Sequence, residues 1–182
     1  MGRIEIRLAG FGGQGIVLAG LLLARAAVLY DGKKAVHSQS YGAEARGGAC
    51  KSEVVISEGR IDYPLVTMPD ALLAMSQQAF DKYSRDLKPG GTLLVDSDLI
   101  HEGQMGSGIR FFKMPATKIA EGLGNRIVDT MVALGALVEL TGAVSRGAME
   151  ASVRDGAPKG TEEINLLALR EGFEFSKGMR GV

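Results

Sequence analysis

The residues best suited to chemistry lie in two glycine-rich segments. The first, Gly10-Phe11-Gly12-Gly13-Gln14-Gly15, satisfies G-x-G-x-x-G. Between a strand and a helix, such a run lets the backbone turn sharply and approach a ligand. The amides at the helix N-terminus then suit a phosphate or carboxylate. Residues 39–48, QSYGAEARGG, form the second segment, with Ser40, Tyr41, Glu44 and Arg46 set among Gly42, Gly47 and Gly48. Arg46 suits an anion, and Glu44 suits orienting it or a cofactor. Plainer readings stand beside both: glycines serving only close helix–sheet packing, and a Glu44–Arg46 surface pair contributing about 0–1 kcal/mol.

A dinucleotide site also wants an acidic residue at the end of the second strand to grip the ribose. Ser38, Gln39 and Ser40 stand there instead, and Asp31 precedes the strand. This argues against NAD. Asp96 and Asp98 could do acid–base or metal work, but spacing after a strand fits turn and helix caps better. His37 and His101 have no ligand-spaced companions, Cys50 has no partnered base, and Met68, Met75, Met105, Met114 and Met131 suit packing. No catalytic residue and no metal site is expected.

Positioning these segments requires a strand–turn–helix frame. Ile4, Ile6 and Leu8 alternate with Glu5 and Arg7 and run into the glycine turn. Residues 16–30 read as a buried helix ended by Asp31-Gly32, and 35–39 as a second strand. A strand at 50–56 follows without a helix, which predicts an antiparallel insertion. Strands at 70–75, 91–96 and 109–114 alternate with a helix at 77–86. Helices at 116–123, 126–140, 145–153 and 162–172 fill the last third, and 177–182 reads as a frayed tail. The expected fold is α/β: one three-layer Rossmann-like domain over 1–182 with a mostly parallel sheet and a helical C-terminal third. Both glycine segments then fall on the carboxyl edge of that sheet.

Composition narrows the function. The chain has 182 residues, 26 of them Gly, about twice the usual share. Its 21 basic residues balance 21 acidic ones, which removes the bulk attraction that nucleic acid or an acidic membrane needs. One cysteine cannot hold an iron–sulfur cluster, which needs about four thiolates. With no signal-peptide pattern and no apolar run near the roughly 18 residues of a membrane span, a cytoplasmic protein is expected.

GFGGQGIVLAG at 10–20 and QSYGAEARGGACKSEVVIS at 39–57 resemble the γ subunit of the 2-oxoacid:ferredoxin oxidoreductases. The likeness continues through DYPLVTMPDALLAMS at 62–76, LKPGGTLLVDSDL at 87–99, MPATKIAEGLGN at 114–125, MVALGALVELTG at 131–142 and PKGTEEINLLALREGFE at 158–174. The last segment and ARGGACKSEVVIS are most similar to 2-oxoglutarate-type members. One position departs: members commonly carry Asn just before MVALGAL, where this chain has Thr130 after Asp129.

The resemblance implies one part of an enzyme that oxidatively decarboxylates a 2-oxoacid with coenzyme A and passes electrons to ferredoxin. It implies thiamine diphosphate and iron–sulfur clusters on sister α, β and ferredoxin-like δ subunits, and no activity of the isolated chain. It also implies coenzyme A handling at the glycine edge, through Gly10, Gly12, Gly13, Gln14 and Gly15, and through Ser40, Tyr41, Glu44, Arg46, Gly47 and Gly48. A partner-binding patch predicts self-association of the lone chain. The residues alone leave two other readings open: a self-contained Rossmann-like oxidoreductase binding NAD or flavin, and a non-catalytic nucleotide- or acyl-carrier-binding module.

Overall fold

The computed structural model describes residues 2–41, 49–101, 103 and 106–179; the side chains of Tyr41 and Ala49 and the predicted site residues Glu44, Arg46, Gly47 and Gly48 lie outside that description. Six strands form one sheet: β1 (Arg3–Phe11), β2 (Lys34–Tyr41), β3 (Ala49–Ser57), β4 (Ala71–Ala74), β5 (Thr92–Asp96) and β6 (Arg110–Met114). Their order is β2-β3-β1-β4-β5-β6. β1, β4, β5 and β6 are mutually parallel, and β3 runs antiparallel to both β1 and β2. Five strands therefore share one direction, with β3 as the antiparallel insertion that the missing helix predicts.

The helices are α1 (Ile16–Arg25), α2 (Gln77–Tyr83), α3 (Ala116–Gly122), α4 (Asp129–Thr141), α5 (Arg146–Gly156) and α6 (Glu162–Ser176). On one face of the sheet, Ile4, Ile6, Leu8, Val54 and Leu73 pack against α1 and α3–α6 in the main core. On the other face, Ala9, Leu72, Leu93 and Phe111 pack against Ala79, Phe80 and Tyr83 of α2. α4 is the hub, with every residue from Asp129 to Val138 buried. It meets α6 through two notches: a β-carbon on Gly135 would strike Leu169 O, and one on Gly172 would strike Val132 O. Those glycines serve close approach between helices rather than a turn.

Two expectations change. α1 gives way to a π-helical turn, Ala26–Tyr30, whose outer face is not buried. Leu21, Val28, Leu29 and Tyr30 are all exposed, although α5 packs on the same turn, and β2 beside them is an edge strand of the sheet. Conversely, Glu5 and Arg7, on the polar phase of β1, are both buried. Arg7 is neutralised there: its Nε donates to Glu53 Oε1 at 2.7 Å and its Nη1 to Asp86 Oδ2 at 2.6 Å, with the guanidinium 5.0 Å from the Tyr83 ring centre.

Candidate functional site

The crevice between the ends of β1 and β4 is where the chain changes faces. β1 leads into α1 on one face of the sheet, whereas β4 leads into α2 on the other. Open α/β sheets hold ligands outside the carboxyl ends of their strands at such a switch point. A cleft of about 490 Å³ opens there, within the range usual for small-molecule sites. Phe11 at the end of β1 with Gly13 and Gln14 beyond it, Met75, Ser76 and Gln77 after β4, Leu99, and Arg126, Ile127 and Asp129 line it. A smaller hollow of about 200 Å³ shares Gly13, Gln14 and Ile127 and reaches Gly15, Leu18, Thr130 and Asn165.

The glycine turn is built as its spacing predicts. Gly13 and Gly15 have φ of +100° and +82°, a region that costs other residues strain. Gly15 caps α1, whose first turn carries no acidic residue and no side-chain cap. Among the described residues no side chain caps its N-terminal amides, whose polarity suits an anion. Gly10 sits inside β1 and is buried; a β-carbon there would run into Gln14 Oε1 and come within 3.0 Å of Ile16 Cδ1. It gives room for the turn rather than facing the cleft. Gly12 is exposed at the apex of the turn but does not line the cleft. Gln14 braces the turn, with Oε1 accepting from Phe11 N at 2.6 Å and Nε2 donating to Met75 O at 3.0 Å.

Ser40 and Tyr41 belong to β2, which runs two residues beyond the expected end at Gln39. The register puts Tyr41 opposite Cys50, Cys50 opposite Gly10, and Ala49 opposite Phe11. Tyr41 and Ala49 thus lie at the same edge of the sheet as the glycine turn. Ser40 is exposed there.

The remaining candidates take the plainer roles. Asp96 is fully buried; it accepts from Asp98 N at 2.9 Å, Thr117 N at 2.9 Å and Thr117 Oγ1 at 2.6 Å, so it fixes the turn after β5 and the start of α3. Burial raises its pKa. Asp98 accepts from Lys118 N at 2.9 Å. His37 shares a 2.7 Å hydrogen bond with Ser52, and burial lowers its pKa. Cys50 is a buried thiol whose pKa burial raises, away from thiolate reactivity. Among the described residues no group of three or more His, Cys, Asp and Glu could hold a metal ion.

What the sequence reading missed is the far wall of the cleft. Arg126 and Ile127 stand at its mouth, with Ile127 78 % exposed, and Asp129 is 6 % exposed at the start of α4. Burial pushes the Asp129 carboxyl up to about 6, the nearby Asp96 charge adding to the shift and the Thr130 amide opposing it. The signal in the sequence was the departure at Thr130, whose N and Oγ1 both donate to Asp129.

A glycine turn, a helix start without a side-chain cap and a largely apolar cleft at the switch point mark a Rossmann-like α/β chain. Comparison with known proteins places it further. The sequence matches pyruvate ferredoxin/flavodoxin oxidoreductase over residues 5–175, and the chain belongs to that family as a γ-type member. It is 56% identical over 177 residues to the 2-oxoglutarate synthase subunit KorC of Methanocaldococcus jannaschii, covering 96% of this chain and 95% of that one. The γ subunit of a keto/oxoacid ferredoxin oxidoreductase from Geobacter sulfurreducens has the same fold, with a TM-score of 0.86 and 49% identity over 97% of this chain and 99% of that one. The pyruvate oxidoreductase subunit PORC of Thermotoga maritima, at 28% identity, has a TM-score of 0.78 over 96% and 97% of the two chains.

Proposed function

We propose that the chain is the γ subunit of a 2-oxoglutarate:ferredoxin oxidoreductase, working with sister α, β and ferredoxin-like δ subunits. The observation that carries this reading is the 56% identity to a 2-oxoglutarate synthase subunit over nearly the full length of both chains. The reaction joins 2-oxoglutarate and coenzyme A to give succinyl-CoA and CO2, and two electrons leave to ferredoxin. Thiamine diphosphate and the iron–sulfur clusters that supply the decarboxylation and electron chemistry belong to the sister chains. The one cysteine here is buried and cannot provide a cluster's thiolates.

This chain's own contribution is binding and assembly. The amides at Gly15 and the start of α1 suit a coenzyme A phosphate, and the apolar cleft beside them suits the rest of that molecule. Two exposed apolar patches suit sister chains: Leu21, Val28, Leu29 and Tyr30 beside edge strand β2, and Tyr63, Leu65 and Met68 on the connection before β4. The same patches would drive self-association of the chain alone. Among the described residues no helix is long and apolar enough to cross a membrane, and a cytoplasmic complex is proposed.

A self-contained NAD enzyme fits the geometry poorly. In a dinucleotide fold the second strand lies beside the first and brings its acidic end to the ribose. Here β3 separates β2 from β1, setting the end of β2 about 10 Å from the glycine turn, and the residues there are Ser38, Gln39 and Ser40. Titration of the purified chain with coenzyme A, NAD and flavin tests the choice, together with co-purification of a thiamine-diphosphate subunit. Coenzyme A binding and co-purification are expected; micromolar NAD binding with turnover of a 2-oxo or 2-hydroxy acid would overturn the subunit reading.

A further inference from the structure

One buried acceptor in the cleft is only half used. Asp129 lines the wall between Arg126 and the glycine turn and is nine-tenths buried. Both hydrogen bonds it receives go to a single oxygen: Thr130 N donates to Oδ1 at 2.6 Å, and Thr130 Oγ1 donates to the same atom at 3.3 Å. Oδ2 receives none among the described residues. It is not sealed in the core either, since Arg25 Nε is the one fully enclosed side-chain nitrogen or oxygen found without a partner among those residues. Oδ2 therefore opens on the cleft that Asp129 lines.

The neighbours do not supply what it lacks. Arg126 is 63% exposed at the mouth and lies 3.9 Å from Glu121. Asp96 is committed to Thr117 and Asp98. Gln77 donates to Asp81 and accepts from His101 N. Gln14 Nε2 is committed to Met75 O and Ser76 Oγ accepts from Ala79 N, while Phe11, Met75, Leu99 and Ile127 are apolar. Once a ligand expels water from the cleft, a carboxylate oxygen left without a donor is costly, and native proteins rarely tolerate it. A cation is a poor occupant, because among the described residues no second carboxylate lines the same space. A neutral N–H or O–H donor on a largely apolar ligand fits.

We propose that Asp129 is a ligand-reading residue: its free Oδ2 accepts a hydrogen bond from an N–H or O–H donor of the molecule that fills the cleft. This rests on the coenzyme A reading above, and coenzyme A offers that chemistry from two sources. One is the amine of its adenine, the other an amide or hydroxyl of its pantetheine arm.

Asp129→Asn tests the idea with shape preserved. The two Thr130 donors hold the amide oxygen in the Oδ1 position, which turns the NH2 group into the cleft and replaces an acceptor with a donor. Binding is measured by calorimetry on the complex purified with its sister subunits. The ligands are coenzyme A, adenosine 3′,5′-bisphosphate and pantetheine. Wild type is expected to bind coenzyme A, and Asp129→Asn to bind it about tenfold more weakly or worse. The same loss should appear with one fragment only, which names the source of the donor. Asp129→Leu, which removes the acceptor without adding a donor, should move in the same direction by less. Equal affinity of wild type and Asp129→Asn for all three ligands overturns the proposal and leaves the coenzyme A reading standing. No binding of coenzyme A by wild type overturns both.

Discussion

Gln14 ties the ends of two parallel strands together: its Nε2 donates to Met75 O at 3.0 Å, while its Oε1 accepts from Phe11 N at 2.6 Å. One side chain thus closes the glycine turn after β1 and fixes its distance from the end of β4, which are the two lips of the cleft. Gln14→Ala removes both bonds. At about 0.5–1.5 kcal/mol for each neutral hydrogen bond, unfolding free energy should fall by about 1–3 kcal/mol in urea titration. Coenzyme A binding should weaken with it. An unchanged urea midpoint and affinity would show that the turn holds its shape without Gln14.

The near wall of this site was legible in the sequence and the far wall was not, for a physical reason. Gly10 to Gly15 announce a turn through local backbone needs, and φ of +100° at Gly13 and +82° at Gly15 is that need made visible. The shared edge of the two glycine segments followed from strand direction, and the Tyr41, Cys50 and Gly10 register agrees. Arg126, Ile127 and Asp129 reach the cleft because α4 packs across the sheet and against α6, which the local sequence marks only by the departure at Thr130. The burial of Arg7 was hidden likewise: alternation along β1 marks it as the polar phase, and only Glu53 on β3 and Asp86 after α2 make an interior place for it.

Asp129 makes stability depend on pH. Its carboxyl titrates at about 6 in the folded chain, above its ordinary value of 3.8. The folded state therefore holds this proton more tightly than the unfolded state does, and stability falls as pH rises from about 4 through 6. The loss amounts to about 3 kcal/mol at neutral pH. Asp129→Asn removes the ionisation while Asp96 and Arg126 stay in place. The variant should match wild type near pH 4 and exceed it at pH 7 in thermal melts. A constant difference across that range would remove Asp129 from the titration.

At Gly135 and Gly172 α4 and α6 approach closely, and in both cases the obstacle to a side chain is backbone. A carbonyl cannot rotate away as a flexible side chain could, so Gly135→Ala must push the helices apart. The gain in helix propensity, about 1 kcal/mol, opposes a larger packing loss. A net destabilisation of about 1–3 kcal/mol is expected in urea unfolding, with a further loss in the double variant Gly135→Ala/Gly172→Ala. Because α4 carries Asp129, the same variants should lower affinity at the cleft without touching it.

Arg7 supplies the sharpest test of the second core. Its side chain is 4% exposed, between Glu53 and Asp86 and over the ring of Tyr83. Removing the arginine leaves the Glu53 side chain, 9% exposed, with Lys51 at 3.0 Å to balance it among the described residues. Breaking one side of a buried pair costs about 3–5 kcal/mol, most of it from the charge left behind. Arg7→Leu should therefore destabilise the chain by about that amount, whereas Arg7→Leu/Glu53→Leu should recover much of the loss. A double variant as unstable as the sum of the two single ones would mean that Arg7 and Glu53 contribute independently, with no coupling between them. Recovery would mean that β1 keeps Arg7 to match Glu53 across the strands rather than to add strength.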